Sequence, residues 1–164
     1  MATSKTLDRK AVTEALTKAA VMHMVRYGFA IHKEIGLGRG GLVRADLLCL
    51  NFKKKLVVME IKSSVSDFSS DQKWPKYLSL CDQLVFVMPE HVWHRLGVSG
   101  NRPGRGAGVL ILEEKTGHLK SVQIAKTLGV LDEETRDYLI LRMAYRSAEF
   151  SKRNVKRRTR IYLK

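Results

Sequence analysis

Residues 42–62 read LVRADLLCLNFKKKLVVMEIK and place Asp46 in one apolar run and Glu60 and Lys62 in the next. Two carboxylates and an ammonium are the side chains that phosphodiester hydrolysis uses. Hard oxygen ligands hold Mg²⁺ or Mn²⁺, and Mg²⁺ needs only one or two protein carboxylates because it keeps several waters and takes the substrate phosphate as well. A bound cation lowers the pKa of a water and neutralises charge growing on the phosphorus oxygens. A lysine nearby orients that water or steadies the charge. Asp46 and Glu60 are therefore candidate ligands, and Lys62 is the candidate helper.

The elements that must position them are two strands. Successive strand side chains alternate faces, so Glu60 and Lys62 share one face and Val57, Met59 and Ile61 the other. If Phe52, Lys53 and Lys54 form a three-residue hairpin loop, Asn51 pairs with Lys55, and the same register sets Asp46 against Glu60. The competing reading is a structural ion pair at a sheet edge. A Glu two residues before a Lys is expected about once by chance in a chain of this composition, so the pair alone is only a hypothesis. A second such pair exists, Glu113 and Lys115 after GVLIL; it has no nearby Asp and reads as an exposed strand end.

Around this hairpin the pattern is α/β. Residues 8–27 are predicted helical, with Asp8 as cap, apolar positions at Val12, Ala15, Leu16, Ala19 and Met22, and Gly28 as the stop. Phe29 to Ile35 alternates as a strand, and GLGRGG (36–41) is a connector that fits neither a phosphate-loop nor a dinucleotide-binding spacing. SSVSDFSSDQKWPKYLSLC supplies a loop and a helix, and QLVFVM (83–88) suits a buried parallel strand. A short helix near Pro89 to Leu96 follows, then NRPGRGAG. Strands are expected at 109–112 and 119–124. Asp132, Glu133 and Glu134 start a long helix whose core stripe is read as Leu141, Tyr145 and Ala148, with Arg142, Arg146 and Arg153 toward other faces.

Composition favours a polyanionic partner. Thirty Lys and Arg against sixteen Asp and Glu give a net charge of +14, which draws nucleic acid to the surface. Residues 151–164, SKRNVKRRTRIYLK, carry no acidic residue and are expected to bind phosphates without reading sequence. Residues 1–164 are read as a single domain with enough core to fold without staples. No stretch is long and apolar enough to span a bilayer and no secretory segment precedes the first helix, so the expected location is the cytoplasm, at the nucleoid or, for a phage-encoded chain, in the host. Cys49 and Cys81 read as buried thiols.

The segment Glu34 … Arg44-Ala45-Asp46 … Glu60-Ile61-Lys62-Ser63-Ser64 … Asp67-Phe68 … Asp71 … Lys73-Trp74 … Tyr77 … Cys81-Asp82 resembles the MmcB-like DNA repair proteins, a family of the PD-(D/E)XK nuclease superfamily. The similarity is densest over residues 34–90. It implies a restriction-endonuclease-like core, a central mixed β-sheet flanked by helices, with a long basic C-terminal helix. It also implies that Asp46, Glu60, Lys62 and Glu34 form the catalytic set, with Asp46, Glu60 and Ile61 holding Mg²⁺ or Mn²⁺. DNA contacts are expected from Lys73, Tyr77, Arg44 and Ser63, from Arg102 and Arg105 in the Gly-rich loop, and from Lys152, Arg153, Lys156, Arg157 and Arg158. Trp74 reads as packing, and Asp67 and Asp71 as caps. GLGRGGLVRAD departs from the tighter Gly-Arg-Arg-Ala-Asp run expected there, which loosens the placement of Glu34. His23, His32, His91, His94 and His118 are scattered and read as non-ligands.

The function expected is a metal-dependent deoxyribonuclease of DNA repair, recombination or phage DNA processing. A dimeric, structure-specific endonuclease such as a junction resolvase is one form of it, because two symmetric sites can cut two strands. The alternative is a non-catalytic DNA-binding module that recruits a repair or replication protein. An RNA-binding role lacks the aromatic clusters it needs.

Overall fold

A computed structural model describes residues 9–38, 43–104 and 106–148. Helix α1 (Arg9–Arg26) leads into strands β1 (Ala30–Leu37), β2 (Val43–Leu50) and β3 (Leu56–Ile61). Helix α2 (Val65–Ser70) and a 3-10 helix (Trp74–Ser79) return the chain to β4 (Gln83–Pro89), and α3 (Glu90–Val98) returns it to β5 (Gly108–Leu112). Strand β6 (Leu119–Gln123) and helix α4 (Glu133–Ser147) follow. The six strands lie in sequence order, with β3, β4 and β5 parallel and the other neighbours antiparallel. This is the mixed, helix-flanked sheet of the restriction-endonuclease-like fold. The basic segment 151–164, with Lys152, Arg153, Lys156, Arg157 and Arg158, lies outside the described residues, as do Arg105 and most of the β1–β2 connector.

Strand β3 sits at the centre, and all six of its residues are buried. Val57, Met59 and Ile61 pack with Leu16, Ala20 and Met24 of α1 on one face. Leu56 and Val58 pack on the other with Phe68, Tyr77, Leu96, Leu139 and Met143. Glu60 is the polar member of that second face, as strand parity requires. Cys49 and Cys81 are buried free thiols.

Two helix faces differ from the sequence expectation. In α1 the buried stripe is Leu16, Ala20 and Met24, while Ala15 and Met22 face outward. In α4 the buried residues are Leu139 and Met143, whereas Leu141 and Tyr145 are 58% and 69% exposed and Ala148 only caps the helix end. Each helix carries apolar residues on two stripes, and the one that meets the sheet is chosen by packing. The stop at Gly28 holds: its φ of +75° and the Gly28 amide bond to the Val25 carbonyl close the helix.

Strands β1 and β2 are kinked where they approach the site. Ile31 packs toward α1, yet Ile35 and Leu37, of the same parity, belong to the opposite face. The reversal falls at Glu34, whose φ is +48°, a conformation uncommon outside glycine. In β2, Leu47 and Cys49 likewise face α1 while Val43 and Ala45 face the other layer, with Asp46 between. Arg146 of α4 donates to the Glu34 carbonyl at 3.1 Å and braces this kink.

Candidate active site

The site is set by the β2–β3 turn. The Asn51 carboxamide oxygen accepts from the Lys53 and Lys55 amides, each at 3.0 Å, and the Asn51 amide donates to the Lys55 carbonyl at 3.2 Å. That closure pairs Leu50 with Leu56 and Leu47 with Met59, and one step further brings Asp46 opposite Glu60. There the two carboxylates replace the backbone acceptors: Asp46 Oδ2 accepts from the Ile61 amide at 2.8 Å, and Glu60 Oε1 from the Asp46 amide at 3.2 Å.

Lys62 lies just past β3, with its amide on the Val87 carbonyl at 2.8 Å. Its Nζ meets Asp71 Oδ2 at 2.5 Å and Glu60 Oε2 at 3.3 Å, and the residue is only 5% exposed. Asp71 ends α2 and also accepts the Lys73 amide at 2.8 Å. The helix is tied back to the strand at its start. Ser64 Oγ accepts from the Asp67 amide at 3.1 Å, and Asp67 accepts the Ser63 amide at 3.0 Å and the Ser63 hydroxyl at 3.2 Å. Asp71 is the C-cap of α2 as read, whereas the N-cap is Ser64 and Asp67 sits inside the first turn, tying it to Ser63. What sequence reasoning missed is that Asp71 is also the partner of Lys62, a pairing that appears only when α2 folds back across β3.

The electrostatics follow from burial and crowding. Burial, and next the Asp46 charge, push Glu60 up to about 7, against the pull of Lys62. Burial raises Asp46 as well, opposed by the Ile61 amide and Lys62. Burial alone would lower Lys62, but its bonds to Asp71 and Glu60 outweigh that and hold its pKa above the ordinary value. Burial would raise Asp71, but the hydrogen bond from Lys62 keeps it below the usual carboxylate range.

A cleft of about 500 Å³ opens over this group, with Arg44, Lys73 and Tyr77 on its walls. The Tyr77 hydroxyl donates to the Arg44 carbonyl at 2.8 Å, and the tyrosine is 2% exposed. Burial, and then the Glu60 charge, raise its pKa. Tyr77 belongs to a 3-10 helix rather than an α-helix, with Lys73 at its N-cap and Pro75 in its first turn, and both Lys73 and Tyr77 reach the cleft. Trp74 packs edge-on against Phe86, with ring centroids 6.0 Å apart.

Other expected residues lie elsewhere. The Glu34 carboxylate is not drawn into the cleft; it meets Arg44 at 3.6 Å with its side chain 70% exposed. Its φ explains the displacement, since the kink turns the side chain out of the strand alternation. Ser63 is buried and its hydroxyl is taken by Asp67. Arg102 lies over the Trp93 ring at 4.1 Å, a packing contact on α3 outside the cleft. His32 contacts Ser147 and His91 contacts Glu114, each at 2.9 Å.

The donor set fits a hard cation. Among the described residues no group of three or more His, Cys, Asp or Glu converges as a metal cluster. Asp46 and Glu60, with the main-chain carbonyl as the only oxygen Ile61 can offer, still meet the low ligand demand of Mg²⁺. Two carboxylates, Glu60 and Asp71, contact one ammonium, and the half-buried Asp46 lies across the strand pair from Glu60. That local excess of negative charge in a chain of net charge +14 is what a divalent ion would offset.

A solved structure from Silicibacter pomeroyi, described as a protein of unknown function, is similar with a TM-score of 0.68 and 28% identity, over 82% of this chain and 84% of that one. No curated protein matches the chain. A family model described as "DNA repair protein MmcB-like" matches residues 2–153. The match covers the kinked strands, the hairpin with its carboxylates and the helices over them, and the chain belongs to the MmcB-like family of DNA repair proteins.

Proposed function

We propose that the protein is a divalent-metal-dependent phosphodiesterase that hydrolyses DNA in repair. The observation that carries this reading is the crossed placement of Asp46 and Glu60 beside the buried Lys62. Asp46, Glu60 and the Ile61 carbonyl would hold Mg²⁺ or Mn²⁺, which when bound supplies an acidified water and neutralises phosphoryl charge.

The chain's own groups do the rest. Lys62 Nζ, kept protonated by Asp71 and Glu60, donates to the attacking water or to a phosphoryl oxygen and steadies charge as it grows. Arg44 and Lys73, on the cleft walls, hold the flanking phosphates. The Tyr77 hydroxyl fixes the Arg44 carbonyl and so the start of β2. The hydrophobic layer under β3 keeps the two carboxylates crowded, which raises their demand for a cation.

One observation favours a second reading. Asp71 engages Lys62 at 2.5 Å, and a protein that only binds DNA and recruits a partner could keep this as a structural ion pair. Calorimetric titration with Mn²⁺ separates the two. The phosphodiesterase reading expects binding by the wild type that Asp46→Asn and Glu60→Gln each remove, with the fold intact by circular dichroism. Absence of binding by the wild type would favour the recruitment module.

A further inference from the structure

The β2–β3 turn carries chemistry that the cleft does not use. Phe52 is 106% exposed, so its ring stabilises nothing in the fold. It is followed by Lys53, Lys54 and Lys55. The tip is rigid: Asn51 holds it from inside through Lys53 and Lys55, and the Lys54 amide donates to the Asn51 carbonyl at 3.0 Å. From outside, Arg136 donates to the Lys54 carbonyl at 2.9 Å. Lys54 reaches Asp137 at 3.9 Å, and Lys53 and Lys55 flank it. The end of α1 at the same end of the sheet, where Ala30 pairs with Leu50, adds Tyr27, 69% exposed.

An aromatic face on a preordered, basic tip is suited to stacking on a base. Aromatic stacking holds single-stranded nucleic acid with little sequence preference, and lysines beside it hold the phosphates. In a duplex the faces of the bases are already covered, so such a tip discriminates in favour of unpaired nucleotides. One phenyl among three lysines buries too little apolar surface to anchor the chain on a membrane. The tip is also separate from the cleft, because Asn51 lies five residues along β2 from Asp46, a span of about 17 Å.

We infer that the hairpin tip is a second nucleic-acid contact, in which Phe52 stacks on an unpaired base while Lys53 and Lys55 hold the adjoining phosphates. It needs no catalysis at the carboxylates, and it stands or falls apart from the phosphodiesterase reading.

The test is equilibrium binding in EDTA, by anisotropy, of labelled single strands and of blunt duplexes of the same sequence, alongside co-sedimentation with anionic lipid vesicles. Full-length wild type is compared with Phe52→Ala, Phe52→Trp and the double variant Lys53→Ser/Lys55→Ser. Phe52→Ala should weaken single-strand binding about tenfold with an unchanged salt slope. Blunt-duplex binding should stay within about twofold. Phe52→Trp should retain single-strand binding. The lysine variant should instead flatten the salt dependence by about 0.7 in log–log slope for each phosphate that is no longer neutralised. Equal weakening of single strands and duplexes by Phe52→Ala, no weakening of either, or a loss confined to vesicle binding would each overturn the inference.

Discussion

Asp46 and Glu60 each bond the other's strand: Asp46 Oδ2 takes the Ile61 amide at 2.8 Å and Glu60 Oε1 takes the Asp46 amide at 3.2 Å. The hairpin therefore cannot slip by one residue without losing both bonds and turning every side chain to the opposite face. The same bonds force two carboxylates together in a buried place, at an electrostatic cost.

Burial and the Asp46 charge raise Glu60 from 4.5 to about 7. Through that interval the folded protein holds a proton that the unfolded chain has lost, so stability falls as pH rises and levels off above it. The loss is on the order of 3 kcal/mol. In EDTA, chemical denaturation of the wild type on either side of this interval should show it, and Glu60→Gln should lose that fall. Identical pH dependence in the two proteins would contradict the electrostatic account.

Asp82 and Arg136 tie α4 to the sheet. Arg136 meets both Asp82 oxygens, at 2.7 and 2.9 Å, while Asp82 Oδ2 also takes the Leu56 amide at 2.7 Å. Arg136→Ala leaves a half-buried carboxylate without its partner and should cost about 3 kcal/mol in a denaturant melt. The hydrogen bond from Arg136 holds Asp82 below its ordinary value. Its stabilisation is thus present above the unfolded pKa and is lost as pH falls through the folded one. Asp82→Asn should remove that part of the acid transition, and an unaltered acid transition would contradict the assignment.

Helix α4 offers a control on packing. Leu139 is fully buried and Leu141 is 58% exposed. Leu139→Ala should cost about 2–5 kcal/mol, whereas Leu141→Ser should stay within about 0.5 kcal/mol. Comparable losses from the two would mean that the helix is rotated.

Tyr77 separates positioning from direct chemistry. Tyr77→Phe keeps the buried ring and removes the bond to the Arg44 carbonyl, at a cost of about 1 kcal/mol. If the hydroxyl acts by holding β2, cleavage should fall through a weaker DNA KM with kcat little changed. A large fall in kcat alone would mean that the hydroxyl touches the reacting phosphate.

Much of the sheet was legible from strand parity and turn length. Phe52 to Lys54 as a three-residue loop fixed the register of Asp46 against Glu60, and the continuous apolar run at 83–88 marked the parallel strand. The helix faces were not legible, because α4 carries leucines on two stripes and only the sheet decides between Leu139 and Leu141. Nor was the fate of Glu34, whose left-handed backbone is held by Arg146, 112 residues away. Asp71 could be read as a cap, but its pairing with Lys62 depends on the angle at which α2 leaves β3.

The most direct measurement is cleavage of labelled single-stranded, duplex, flapped and four-way-junction DNA in Mg²⁺, Mn²⁺ or EDTA by the wild type, Asp46→Asn and Lys62→Ala. The account predicts that at least one substrate is cut in the presence of metal, that EDTA stops it, and that both substitutions abolish cutting while DNA binding is retained. Tight binding with no cutting of any substrate in either metal, or cutting that survives Lys62→Ala and Asp46→Asn, would contradict it.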